Sequence, residues 1–211
     1  MQDLISELNQ YSERHSSISD PLLLEIERAT HLKTLTPRML SGPLQGALLI
    51  LLSKIIGPKR VLEIGTFTGY SAICFCHGLQ ADGHIDTIEY DPEHASIADD
   101  FFNKSTYRTQ INLHVGDAKL IVPTLPDGYD LVYIDADKEA YGTYYDMVLP
   151  KCNPGAIIMA DNVLWSGKVL DDIKDKKTQC LADFNRKILN DTRVENLILP
   201  LRDGINVIRK K

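Results

Sequence analysis

Chemistry could be done by Asp135, Asp137 and Lys138 in "LVYIDADKEAY" and by Asp161 and Asn162 in "IIMADNVLW". Each segment opens as an apolar strand and runs out into charged or polar residues. In an open α/β sheet, ligands bind at the carboxyl ends of the strands, so acids gathered there form a candidate site. If the two strands are neighbours, Asp135, Asp161 and Asn162 converge as oxygen ligands with no histidine or thiol. Such a set suits a hard divalent cation such as Mg²⁺. Without a cation, two adjacent aspartates repel and one is driven to keep its proton. Asp137 is the weaker member and reads mainly as a solvated acid. Lys138 shares a face with Asp135 if a helical turn begins there. An amine beside a cation-bound hydroxyl can act as general base; the plainer alternative is a surface ion pair.

The elements that must position these residues begin at Arg60. "RVLEIG", "HIDTIEY", "INLHVG", "LVYIDA" and "GAIIMAD" are strands, each followed by a polar turn and a helical stretch, the pattern of a parallel sheet with crossover helices. The end differs: "VENLILPLRDGINVIRKK" holds two β runs around "RDG", predicting an antiparallel hairpin at the sheet edge. Ahead of the sheet the chain reads as helical. Asp20 and Pro21 form an N-cap with proline at the first helical position, and a second helix runs from about Leu44 to the break at Gly57 and Pro58. One domain is expected over 1–211, with N-terminal helices over 1–57 and an α/β core over 58–211.

The first strand ends in "LEIGTFTGYSA", a glycine turn before a helix. A dinucleotide fingerprint needs glycine two positions after Gly65, where this chain has Phe67, and no G-K-[ST] follows to cradle phosphates. What remains suits a ligand without phosphates. Glu63 can hold an amine, Glu89 ends the second strand where an acid binds ribose hydroxyls, and Asp117 ends the third beside a base-sized pocket. Amine, ribose and base together describe S-adenosylmethionine.

Bulk properties narrow the classes further. The chain has 211 residues, 44% apolar and 25% charged, with a net charge of −6, which argues against a large phosphate-binding face. The mixed-charge run "DDIKDKKTQ" reads as a solvated helix face. "LLILLSKII" is shorter than the ~20 residues of a membrane span and reads as a buried helix. With no basic and apolar leader at the N-terminus, a cytoplasmic location is expected. Cys74, Cys76, Cys152 and Cys180 show no metal-site spacing and are expected to be reduced packing residues.

"RVLEIGTFTGYSA", "TIEYDPE", "VGDA", "YIDADKEAYGTYYD" and "ADNVLWSGKV" together resemble the cation-dependent O-methyltransferases, the group that includes catechol and caffeoyl-CoA O-methyltransferases, with the bacterial small-molecule branch nearest. The resemblance runs from about Met39 to the C-terminus. It implies a Rossmann-like class I methyltransferase fold: a mostly parallel seven-stranded sheet with a C-terminal antiparallel hairpin and extra N-terminal helices. It also implies roles. Met39 would sit beside the reacting methionine group, Glu63 would meet its amine and Ser71 its carboxylate. Gly65, Thr66 and Asp135 would line the cofactor, Glu89 would take the ribose, and Asp117 with Ala118 the adenine. Asp135, Asp161 and Asn162 match the metal ligands, and Lys138 the base. Leu44, which precedes "QG", departs from the pattern, since relatives often carry an acid in its place.

The implied reaction is methyl transfer from S-adenosylmethionine to a vicinal hydroxyl of a catechol-like aromatic, with transfer RNA bearing a hydroxylated uridine as the alternative acceptor. Trp165, Tyr141 and the Arg202–Asp203 loop are candidate walls for the acceptor. A homodimer is expected, because relatives pair and Leu4, Ile5, Leu8 and Tyr11 offer an apolar face.

Overall fold

A computed structural model describes residues 2–17, 20–172 and 175–211. The side chains of residues 2, 3, 5 and 6 lie outside that description, as do Ile173 and Lys174 of the mixed-charge run.

Three helices precede the sheet: α1 (Gln2–Arg14), α2 (Pro21–Lys33) and α3 (Gly42–Ile56). Asp20 caps α2, its carboxylate accepting from Leu22 N, with Pro21 at the first position as the sequence predicts. The next helix starts earlier than Leu44. Gly42 opens α3 with Pro43 in its first turn, and Gly57 closes it in the left-handed region at φ 58°. Gln45, Leu49 and Ser53 recur every fourth residue along its buried face. Ser53 Oγ donates to Phe75 O in the facing helix at 2.6 Å, which keeps the two backbones close.

From Arg60 strands and helices alternate: β1 (Arg60–Ile64), α4 (Tyr70–Cys76), β2 (His84–Glu89), α5 (Pro92–Lys104), β3 (Ile111–Val115), α6 (Ala118–Ile121), β4 (Tyr129–Ile134), α7 (Tyr141–Val148), β5 (Cys152–Asp161) and α8 (Lys176–Leu189). The chain ends in β6 (Val194–Leu199) and β7 (Ile205–Lys210). The sheet order is β3-β2-β1-β4-β5-β7-β6. The first five strands run parallel; β7 lies antiparallel between β5 and β6. The expected hairpin is therefore present with β6 as the edge.

Strand parity divides the core. Leu62, Ile64, Val132, Ile134, Ile158 and Ala160 face one side, where Tyr145 and Val148 of α7 and Leu181 and Phe184 of α8 cover them. Val61, Leu131, Tyr133 and Met159 face the other, under Leu49 of α3 and Ile73 and Phe75 of α4. Because alternate residues share a face, Glu63, Asp135 and Asp161 belong with the second set. The pairs Ile64↔Ile134 and Ile134↔Ala160, extended one step, bring Gly65 beside Asp135 and Asp135 beside Asp161. The site is thus set at the carboxyl ends of β1, β4 and β5. There the strand order reverses, since β2 and β3 follow on one side of β1 and β4 and β5 on the other.

Candidate active site

A cavity of about 1420 Å³ opens over this edge. That exceeds the usual 300–1,000 Å³ for one drug-sized ligand and leaves room for two reactants. Its wall gathers Gly65, Thr66 and Ser71 from the first turn, Glu89 from β2, and Asp117 and Ala118 from the third strand's exit. Asp135, Asp161, Asn162 and Lys138 stand on the same wall, and Met39 approaches from the turn before α3. Two candidates stand elsewhere: Glu63 and Tyr141 are both fully buried and absent from the wall.

Gly65 shows why the turn needs glycine. Its φ is 104°, and a Cβ there would sit 2.0 Å from the Asp135 carbonyl oxygen. The close approach lets Asp135 N donate to Ile64 O at 2.9 Å. Glu89 braces the same turn. Its Oε2 accepts from Phe67 N at 2.6 Å and its Oε1 from Asp91 N at 2.9 Å, leaving further lone pairs toward the cavity. Asp117 caps α6 by accepting from Lys119 N at 2.8 Å.

Glu63 lies beneath the turn, on the face that α4 covers. Thr66 on the wall bonds Thr87, and Thr87 donates to Glu63 Oε2, each at 2.5 Å. Since each hydroxyl has one proton, Thr66 is the donor to Thr87. Glu63 Oε1 is buried with no hydrogen-bond partner. Burial raises its carboxyl pKa to about 8, opposed by the hydroxyls of Ser71 and Thr87. Between about pH 4.5 and 8 the folded state then holds a proton that the unfolded chain releases, so stability falls as pH rises, with a slope approaching about 1.4 kcal/mol per pH unit. Glu63→Gln is accordingly expected to match the wild type in thermal melts at pH 5 and to melt higher at pH 8. Parallel wild-type and variant curves across that range would refute this account.

Asp161 is 2% exposed. Its Oδ2 accepts from Gln45 Nε2 at 2.6 Å and Tyr133 OH at 2.8 Å, and its Oδ1 from Asn162 N at 2.8 Å. Burial raises its pKa to about 6, with the Asp135 charge adding to the effect. Asn162 adopts φ 59°, a conformation asparagine tolerates better than most residues, and its side-chain amide has no partner among the described residues. Among those residues no group of three or more His, Cys, Asp or Glu could hold a metal. The donor set is therefore two carboxylates and one amide, all hard oxygens, and a divalent charge between the aspartates would offset the repulsion that raises Asp161. These residues fit a hard cation.

Lys138 opens a short 3₁₀ turn, as the local expectation required. Its Nζ donates to Asp135 Oδ1 at 2.7 Å and to Tyr141 OH at 2.8 Å. Tyr141 in turn donates to the carbonyl of Asp161 at 2.8 Å and lies 3.2 Å from that of Ile134. Tyr141 is thus a buttress tying the ends of β4 and β5 to the lysine, and the wall position falls to Tyr144. Asp137 reaches the cavity but spends one oxygen on Glu139 N.

Trp165, Arg202 and Asp203 all line the cavity. Two backbone bonds lace their loops together: Val163 N to Gly204 O at 3.0 Å and Leu164 N to Asp203 O at 2.7 Å. Asp203 Oδ1 also accepts from Ser166 Oγ at 3.1 Å. Trp165 and Arg202 sit at φ 48° and 50°, conformations that such lacing must hold in place. Trp165 also packs against the α7–α8 side of the core, so it is anchor and wall at once.

Residues 13–211 match the family model described as O-methyltransferase. The chain is 35% identical over 170 residues to a catechol O-methyltransferase from Niastella koreensis, covering 78% of this chain and 77% of that one. It is 31% identical over 200 residues to a caffeoyl-CoA O-methyltransferase from Stellaria longipes, covering 89% and 83%. Among solved structures it is similar to an O-methyltransferase from Bacillus cereus in complex with SAH, with a TM-score of 0.91, 29% identity and 97% of each chain covered.

Proposed function

With the chain a member of the O-methyltransferase family and a methyltransferase that uses S-adenosylmethionine, we propose that it is cation-dependent and methylates one of two adjacent hydroxyls on a catechol-like aromatic. The observation that carries this reading is the meeting of Asp135, Asp161, Asn162 and Lys138 on one cavity wall beside the glycine turn. Relatives named for catechol and caffeoyl-CoA support the acceptor class.

S-adenosylmethionine, when bound, supplies a sulfonium methyl open to in-line displacement. Asp135, Asp161 and Asn162 would hold a divalent cation, which would supply Lewis-acid lowering of the acceptor hydroxyl's pKa. The remaining work falls to the chain. Thr66, Ser71 and Met39 orient the methionine end, and Glu63, through Thr87, fixes the Thr66 hydroxyl so that its oxygen can accept from the ammonium. Glu89 takes the ribose hydroxyls, and Asp117 with Ala118 borders the adenine. Trp165 offers a flat wall for the acceptor ring. Lys138 Nζ removes the hydroxyl proton, held in place by Asp135 and Tyr141. Positioning of the two reactants then supplies much of the rate.

The test is transfer of labelled methyl to a catechol with Mg²⁺ and with a chelator, run beside bulk tRNA bearing the hydroxylated uridine. Chelator-sensitive labelling of the catechol is expected. Chelator-resistant transfer would remove the cation from the reading, and labelling of tRNA alone would replace the acceptor class.

A second copy of this chain is the proposed partner. Leu8 and Tyr11 of α1 are 55% and 57% exposed, and Leu51 and Ile55 of α3 are exposed as well, apolar side chains that a partner could cover. Leu4 is exposed too. The Ile5 side chain lies outside the described residues. Light scattering at micromolar concentration is expected to give twice the chain mass; the monomer mass would refute the dimer.

A further inference from the structure

Gln45 has no place in the chemistry described above, yet it is 1% exposed and touches a proposed cation ligand. It lies in the first turn of α3, far from Asp161 in sequence. Its Nε2 donates to Asp161 Oδ2 at 2.6 Å and lies 2.8 Å from Tyr133 OH, which donates to the same oxygen at 2.8 Å. Oδ2 therefore carries two donors and is saturated. Among the described residues Oδ1 accepts only the Asn162 amide hydrogen and keeps a lone pair.

The amide's orientation is favoured by a longer contact at its other end. Arg202 Nη1 lies 3.5 Å from Gln45 Oε1 and donates to Leu40 O at 2.8 Å. A flipped amide would set its oxygen against the Asp161 carboxylate and its NH₂ against the guanidinium, which is unfavourable at both ends. Arg202 thus does more than line the cavity: it holds Gln45 in the orientation that lets it donate to Asp161.

We propose that Gln45, oriented by Arg202, is a positioning residue that occupies Asp161 Oδ2 together with Tyr133, so that Asp161 serves a divalent cation through Oδ1 alone. The proposal rests on the cation reading above. A carboxylate free to rotate would offer either oxygen or both. Fixing one leaves a single donor at a defined place, as the hydrogen-bonded partners of metal-ligating carboxylates do.

The experiment is Mn²⁺ binding followed by electron paramagnetic resonance on apo protein, with no cofactor or acceptor, alongside calorimetric binding of S-adenosylhomocysteine and thermal melts. Gln45→Met keeps the side-chain length and removes the donor. It is expected to raise the Kd for Mn²⁺ by about 10-fold or more while changing the S-adenosylhomocysteine Kd less than about twofold. Tyr133→Phe, which removes the other donor from the same oxygen, is expected to act in the same direction and decides the matter if Gln45→Met does not fold. Wild-type Mn²⁺ affinity in folded Gln45→Met would overturn the proposal alone. So would a parallel fall in both affinities and in melting temperature, since that marks a merely structural role. Failure of the wild type to bind Mn²⁺ would overturn the cation reading and this proposal with it.

Discussion

Lys138→Met is expected to lower kcat by roughly 10²–10⁴-fold, the range for losing a positioned general base, with little change in S-adenosylhomocysteine affinity. Methionine keeps the length of the side chain and removes only the amine. That amine sits between Asp135 Oδ1 and the Tyr141 hydroxyl at 2.7 and 2.8 Å, held by groups that stay in place when it is gone. Tyr141 keeps its bond to the Asp161 carbonyl, so the ends of β4 and β5 remain tied. The variant should also betray the missing function by its pH profile. Where the acceptor must lose its proton unaided, the residual rate climbs with pH as the hydroxyl ionises in solution, and the gap to the wild type narrows. A variant with wild-type kcat and an unchanged profile would reduce Lys138 to the surface ion pair that its spacing from Asp135 also allows.

The parts of this site that could be read from sequence are those governed by local rules. Asp135 and Asp161 stand where apolar strands end, and adjacency of β4 and β5 follows from the alternation of strands and helices. The capped start of α2 and the glycine turn at Gly65 are likewise local. What escaped depends on strand parity and on contacts between distant segments. Glu63 precedes the glycine turn by two residues and looks like part of it, yet its side chain falls on the face shared with Val61, under α4 and off the cavity wall. Tyr141 follows Lys138 closely enough to suggest a neighbouring wall, but its helix turns the ring into the core against Phe184 at a centroid distance of 5.5 Å. Gln45 carried no local signal, because its partners Tyr133 and Asp161 come from β4 and β5. Leu44, the departure from the family pattern, is the neighbour of that residue.

Asp161→Asn is the variant in which stability and activity are expected to part company. Methyl transfer should fall on the order of 10³-fold, since several kcal/mol of charge stabilisation go with a lost cation ligand. The apo fold should not weaken at pH 7 and is expected to melt as high as the wild type or higher. Asp161 is a buried acid whose pKa rises to about 6, first through burial and then through Asp135, so above that pH the wild type keeps a carboxylate charge in a place that disfavours it. Asparagine removes the charge, and its oxygen can still accept from Gln45 and Tyr133. Against that gain, its NH₂ meets the Asn162 N–H that Oδ1 accepted, a local cost expected to be smaller than the charge relief. Mg²⁺ sharpens the contrast, because a ligand that binds only the folded state raises the melting temperature. Millimolar Mg²⁺ should lift the wild-type melt and leave Asp161→Asn unmoved. If the variant instead loses stability in proportion to activity, the two aspartates are structural. If it retains activity without any response to Mg²⁺, the carboxylates at the ends of β4 and β5 serve the cofactor or acceptor by charge alone.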